Sequence, residues 1–224
     1  MQKDYSYDYE FDMKYCYPES QVLINKLGIT DAVALAVAER EITSLRIAGA
    51  KDTSIKGIFD LKHLQKINKY VFGDIYPWAG KLRMVNISKG NQFCLCEHLE
   101  SYAVDLFSKL RKEHYLIQTP VQDVPKRLAF YLSEINVLHP FREGNGRTQR
   151  LFIEYLANVA GYEVDFSEVS DIEMIVASAE SFAQEYNNLN ALFEVNTSPI
   201  AKDEQRKAIV HFFGKNSELL KLLQ

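Results

Sequence analysis

His139-Pro140-Phe141-Arg142-Glu143-Gly144-Asn145-Gly146-Arg147-Thr148-Gln149-Arg150 stands between two apolar helical patterns, LAFYLSEINVL before it and RLFIEYLANVAG after it. The stretch reads as a short polar loop feeding the first turn of a buried helix. Gly-Asn-Gly at such an entrance leaves backbone N–H groups pointing outward, where the positive end of the helix dipole favours an anion. Arg147 and Arg150 are three residues apart, so on a helix both guanidinium forks lie near one face and suit phosphate oxygens. Glu143 supplies an oxygen of the kind Mg²⁺ takes from protein when phosphates supply others. His139 is a titratable base beside them. Anion cradle, metal ligand and base in one loop point to phosphoryl or nucleotidyl transfer. The plainer reading, a turn followed by a solvated basic face, fits each piece alone but not the set.

Working outward, the chain is a series of amphipathic helical patterns. Thr30 is the expected cap of a helix running from Asp31 to Ala48 and stopped by Gly49; Asp60 caps a second, Leu61 to Phe72, ended by Gly73. His63 on that helix reads as a surface or core-edge histidine. Ile75-Tyr76-Pro77-Trp78-Ala79-Gly80 reads as an aromatic plug between helices. LRMVNIS, the Lys89-Gly90-Asn91 turn and QFCLC form the one β-hairpin pattern, which needs helices to lean on. Further helices are expected over 97–112, 123–138 and 147–160, then from a Ser170/Glu173 capping box to about residue 185, and over 188–194. Thr197-Ser198-Pro199 reads as a break before two short helical patterns at 202–213 and 216–223. The fold class is mainly α with one small hairpin.

Composition narrows the function. At 224 residues the chain suits one medium domain with short appendages. Its net charge of −4 gives no reason to expect nucleic acid as a partner. Three cysteines, Cys16, Cys94 and Cys96, with no second pair at zinc spacing, fit a reducing cytosol and no structural metal. The acidic, aromatic N-terminus does not resemble a signal peptide, and no run reaches the ~18 apolar residues of a membrane helix. The expectation is a soluble, cytoplasmic protein without a membrane partner, with delivery into another cell left open.

The twelve residues also match His-Pro-Phe-x-Glu-Gly-Asn-Gly-Arg-x-x-Arg, so the chain resembles the Fic family. Nine specified positions give a chance match of about 10⁻¹² per window. YPESQVLINKLGITDAVALAVAEREITSLR and DIYPWAGKLRMVNISKGNQF are similar to the family as well. The resemblance covers 17–195 as a Fic domain, leaving 1–16 as an N-terminal extension and 196–224 as a C-terminal helical one. It implies a Fic-type helical bundle with a β-hairpin flap, transferring AMP from ATP, with Mg²⁺, to a Ser, Thr or Tyr hydroxyl of a target protein. By position it implies His139 as general base and Glu143 as metal ligand. Gly144, Asn145 and Gly146 would form the anion hole, Arg147 would meet the β-phosphate region and Arg150 the γ-phosphate. Thr148 and Gln149 complete the expected nucleotide-binding segment, and Phe141 would anchor the loop.

The same resemblance implies that the flap around residues 85–96, with Lys89 and Gly90 at its turn, docks the target by β-addition. Asn136 and Tyr186 are candidate nucleotide-pocket residues, each of which also fits a helix-cap or core-edge place. The family's inhibitory pattern, Ser/Thr-x-x-x-Glu followed by Gly or Asn, is met only in spacing, by Ser181 and Glu185, with Tyr186 in the following place. Inhibition is then expected from a separate antitoxin protein, or is absent. A toxin or effector role fits the AMP-transfer reading. The alternatives are a related phosphotransferase, kinase-like or of another nucleotide, and a catalytically silent ATP-binding module; the intact His139 and Glu143 favour transfer.

Overall fold

The structure, a computed structural model, describes residues 14–89 and 91–223; most of the N-terminal extension and Gly90 of the flap lie outside the described residues. Within them, eight α-helices and two small antiparallel sheets surround one core. Helix α1 (Ala32–Thr53) begins at Asp31, whose side chain accepts from the Ala34 N–H at 2.8 Å, and not at Thr30. It also runs through Gly49. A glycine inside a helix costs about 1 kcal/mol, and the turn it lies in buries Ala50 completely and presents the Ala50 carbonyl to the Tyr155 hydroxyl at 2.7 Å. Helix α2 (Leu61–Phe72) is capped by Asp60, as its sequence predicts.

Helix α3 (Leu99–Lys112) starts two residues later than the sequence pattern, after a 3₁₀ turn over Cys96–His98. Helix α4 (Val124–Leu138) carries Pro125 in its first turn and ends at His139; helix α5 (Asn145–Ala160) follows the signature loop. Helix α5 is the centre of the molecule. Leu151, Phe152, Ile153, Leu156, Ala157 and Val159 are all at most 1% exposed, and α2, α4 and a later helix pack around them. Gly161 closes α5 in the left-handed region, as glycine readily does.

The flap is shorter than its pattern suggests. Strands β1 (Ser88–Lys89) and β2 (Asn91–Gln92) pair Ser88 with Gln92 and Lys89 with Asn91, and one more rung links the Phe93 N–H to the Ile87 carbonyl at 3.2 Å. Below that rung the ladder stops for a physical reason. The carbonyls of Val85 and Cys94 both accept from the Arg83 guanidinium, and the Cys94 N–H turns to Val137 of α4. A side chain has replaced the inter-strand bonds.

Helix α6 (Asp171–Phe182) opens with the expected Ser170/Glu173 capping box, and α7 (Asn187–Asn196) follows. Thr197–Pro199, expected to break the chain, instead forms strand β4, paired with β3 (Tyr162–Val164). Pro199 sits at the end of this two-stranded edge, a place where a missing N–H is tolerated. Helix α8 (Lys202–Phe213) then packs on α5, with Ile209 fully buried. No helix among the described residues is long and apolar enough to cross a membrane.

Candidate active site

The loop from His139 to Gly144 is built by its own side chains and by three helices. Asn145 staples it: its Oδ1 accepts from the Phe141 N–H at 2.9 Å and its Nδ2 donates to the Phe141 carbonyl at 2.8 Å. Phe141 is 1% exposed and anchors the turn, as expected. From α2, Asn68 donates to the Glu143 carbonyl at 3.1 Å and to the Thr148 hydroxyl at 3.2 Å, while accepting from the Gly80 N–H. Gly144 is required at the helix entrance. Its φ is +82°, and a Cβ there would lie 2.1 Å from the Phe72 ring.

The donors of the cradle follow from this geometry. The Gly144 N–H donates to the Glu143 carboxylate at 2.7 Å, and the Thr148 N–H to the Gly144 carbonyl at 3.0 Å. Between them the N–H groups of Asn145, Gly146 and Arg147 have no hydrogen bond among the described residues, as the first turn of a helix dictates. Arg150 is likewise without a hydrogen bond or ion pair there. Burial lowers its pKa, opposed by Asp171, and the side chain is half-buried.

Arg147 differs. It meets Glu39 of α1 at 2.5 Å and the Thr43 hydroxyl at 3.0 Å, lies over the Phe72 ring and stands 3.5 Å from Glu143. The Tyr76 hydroxyl donates to the other Glu39 oxygen. Glu143 therefore shares its surroundings with a second carboxylate. Burial pushes the Glu143 carboxyl above the usual range and Glu39 adds to the push, against Arg147, the Gly144 N–H and Arg142.

His139 ends α4 in the left-handed region, at φ 43° and ψ 59°, a conformation that costs a non-glycine residue about 1 kcal/mol or more. Its Nδ1 faces the Asn136 carbonyl at 3.3 Å, so Nδ1 donates there, and in the neutral ring the lone pair lies on Nε2. The ring stacks on Phe93 of the flap, with centroids 3.7 Å apart, and Phe93 meets Phe182 of α6 edge-on.

The remaining expected residues fall as follows. Thr148 is fully buried against Asn68, and Gln149 is 5% exposed with its Oε1 unpaired among the described residues, so both face inward from α5. Asn136 contributes its carbonyl to His139. Tyr186 caps α7 and neighbours Tyr102, which donates to Glu134. Lys89 lies in β1. Ser181 is buried and bonded to the Ser178 carbonyl, while Glu185 lies exposed in the turn beyond α6. No cluster of His, Cys, Asp or Glu among the described residues forms a metal cage. The single carboxylate of Glu143 fits a metal that draws its other ligands from phosphate and water.

Sequence reasoning passed over Glu39, Asn68 and Arg83. Each was legible only as a polar residue interrupting an apolar pattern, and partners 108, 80 and 56 positions away are invisible to periodicity.

A helical fold carrying an anion cradle, a paired carboxylate and an oriented imidazole on one loop defines a nucleotide-handling site. The chain belongs to the Fic/DOC family, which matches residues 58–157. It is 36% identical over 192 residues to a protein of Salmonella typhimurium named probable protein adenylyltransferase Fic, covering 85% of this chain and 94% of that one. It is 43% identical over 183 residues to protein adenylyltransferase VbhT of Bartonella schoenbuchensis, covering 81% of this chain but 38% of that longer protein. The crystal structure of an N-terminal Fic domain of a Bartonella quintana effector with bound ADP superposes with a TM-score of 0.79 at 28% identity, covering 83% of this chain and 95% of that one.

Proposed function

We infer that this protein transfers AMP from ATP to a hydroxyl of a target protein. The observation that carries the reading is the single loop in which His139, its Nδ1 turned to the Asn136 carbonyl, precedes a helix entrance whose N–H groups at 145–147 have no hydrogen bond among the described residues. The names of the Salmonella and Bartonella relatives support it. In the reaction a Ser, Thr or Tyr oxygen attacks the α-phosphorus, its proton passes to Nε2 of His139, and the bond to the β-phosphate oxygen breaks to release pyrophosphate. The N–H groups of Asn145, Gly146 and Arg147 and the charge of Arg150 hold the phosphates in line, which is most of what such a transfer needs. Arg147 does so while tethered to Glu39, leaving its remaining donors for phosphate. Glu143 would hold Mg²⁺, which supplies charge neutralisation to the phosphate oxygens when bound.

The flap is the expected dock for the target, since a two-residue ladder around Lys89 leaves an edge to which an extended segment can add. With Ser181 bonded within α6 and Glu185 exposed beyond it, both are read as ordinary structural residues, and inhibition would come from a separate antitoxin or be absent.

The test is incubation with Mg²⁺ and ATP labelled on the α- or the γ-phosphate, with His139→Ala alongside. Label from α-ATP alone is expected, reduced about 10²–10⁴-fold in the variant. Label from γ-ATP alone would establish a kinase instead.

A further inference from the structure

Arg83 is a strongly buried cation that the phosphate chemistry does not use. It is 2% exposed and has no carboxylate partner among the described residues. Burial lowers its pKa, with only Cys96, Cys94 and Tyr15 acting against that. A charge taken out of water without a counter-ion is tolerated only where hydrogen bonds replace its hydration. Here they do, and all come from carbonyls. Nε donates to the His139 carbonyl at 2.8 Å, one terminal nitrogen to Val85 at 2.7 Å, and the other to Cys94. The Arg83 N–H adds a bond to the Pro140 carbonyl at 2.9 Å.

These carbonyls belong to three different segments. Val85 enters the flap, Cys94 leaves it, and His139 is the proton acceptor, held in a left-handed conformation. One planar guanidinium fixes all three, and the flap ladder is short because Arg83 has taken its lower rungs. Phe93, next to Cys94, is the residue that stacks on the His139 ring. We propose that Arg83 is a positioning residue that sets the spacing and orientation between the target-docking flap and His139. It touches neither nucleotide nor target; it decides where a hydroxyl on a docked segment meets Nε2. Lysine replaces it only in part, because a single ammonium on a shorter reach lacks the fork that spans the three carbonyls. The proposal rests on the reading of His139 as base and of the flap as dock.

The experiment compares the full chain with Arg83→Gln and Arg83→Lys by calorimetric melting, ATP titration, steady-state AMP transfer and amide hydrogen exchange over 85–96. Both variants are expected to stay folded and to bind ATP within about threefold of wild type, since the cradle is held independently by Asn68 and Asn145. In Arg83→Gln the Phe93 and Cys94 amides should exchange about tenfold faster or more. Its kcat should fall about 10²-fold at nearly constant KM for ATP, the scale of a small misplacement of reacting groups. Arg83→Lys should fall between the two. Unchanged flap exchange, or transfer within twofold of wild type in Arg83→Gln, would overturn the proposal, as would ATP binding lost in step with transfer. Should the glutamine variant fail to fold, the lysine variant is read by the same criteria. A wild-type protein that transfers no AMP would sink the proposed function, while the exchange measurement would still decide whether Arg83 holds the flap.

Discussion

His63, on α2, is a titratable side chain held inside the core. Its position on α2 suggests a core-edge histidine; the structure buries it completely. Its Nε2 donates to the Ile55 carbonyl at 2.6 Å and its Nδ1 accepts from the Phe59 N–H at 3.3 Å, a set that only the neutral ring satisfies. Protonation would set a second N–H against that of Phe59. Burial accordingly lowers its pKa from the model-peptide 6.5 to about 4. The sign follows from proton uptake: between those values the unfolded chain binds a proton that the native protein refuses, so stability falls as pH drops from 6.5 toward 4. The shift corresponds to about 3 kcal/mol at its fullest. Denaturant melts across that window should show the loss in the wild type and a flatter slope in His63→Gln. An equal slope in both would place the acid sensitivity elsewhere. No periodicity could have revealed this, because both partners lie in the loop before α2 and bond through backbone atoms.

At the scale of elements, helices were legible, and so were those of their ends that rest on local capping chemistry. The Ser170/Glu173 box and the Asp60 cap are local chemistry and were found where the sequence puts them. Gly49 was not a stop, because burial of Ala50 outweighs one glycine. The β3–β4 sheet was hidden because its strands lie 35 residues apart at the Glu163–Ser198 pair and one of them ends in proline. The entrance of α5 was legible because its glycines are demanded by backbone geometry. Gly144→Ala tests that demand. A methyl at φ +82° and 2.1 Å from Phe72 forces either the loop or the ring to move. The expected cost is about 1–3 kcal/mol of stability, together with weaker ATP binding, because displacing Gly144 displaces the N–H groups that follow it. Calorimetry and ATP titration on one sample check both. A variant as stable as wild type that binds ATP equally well would show that the loop relaxes freely.

On the scale of the whole molecule, the sequence suggests a domain ending near residue 195 followed by an extension, and the packing of that segment makes a prediction of its own. The Ile200 N–H donates to the Gly161 carbonyl at 3.0 Å, and Gln205 Nε2 to the Val159 carbonyl at 3.1 Å, so the last turn of α5 is completed by residues from this segment. Phe212 meets Phe59 edge-on, with centroids 4.9 Å apart, and lies tilted against Tyr155 at 5.6 Å, beside the buried Ile209, within the same apolar core that supports the signature helix. Burying two such side chains is worth about 3–6 kcal/mol, against a total of about 5–15 kcal/mol for an ordinary domain. Removing the segment also uncovers Phe59 and leaves the Val159 carbonyl without its partner. A chain ending at Pro199 is therefore expected to melt about 10–20 °C lower than the full chain, or not to fold. Thermal melts of the two chains, each with and without Mg-ATP, supply the check. A truncated protein that melts with the full chain would mean that α8 merely rests on the core. A lowered melting point partly restored by Mg-ATP would mean that the nucleotide site survives on a weakened scaffold, as expected if α5 is held from both ends, by the signature loop at its start and by α8 at its close.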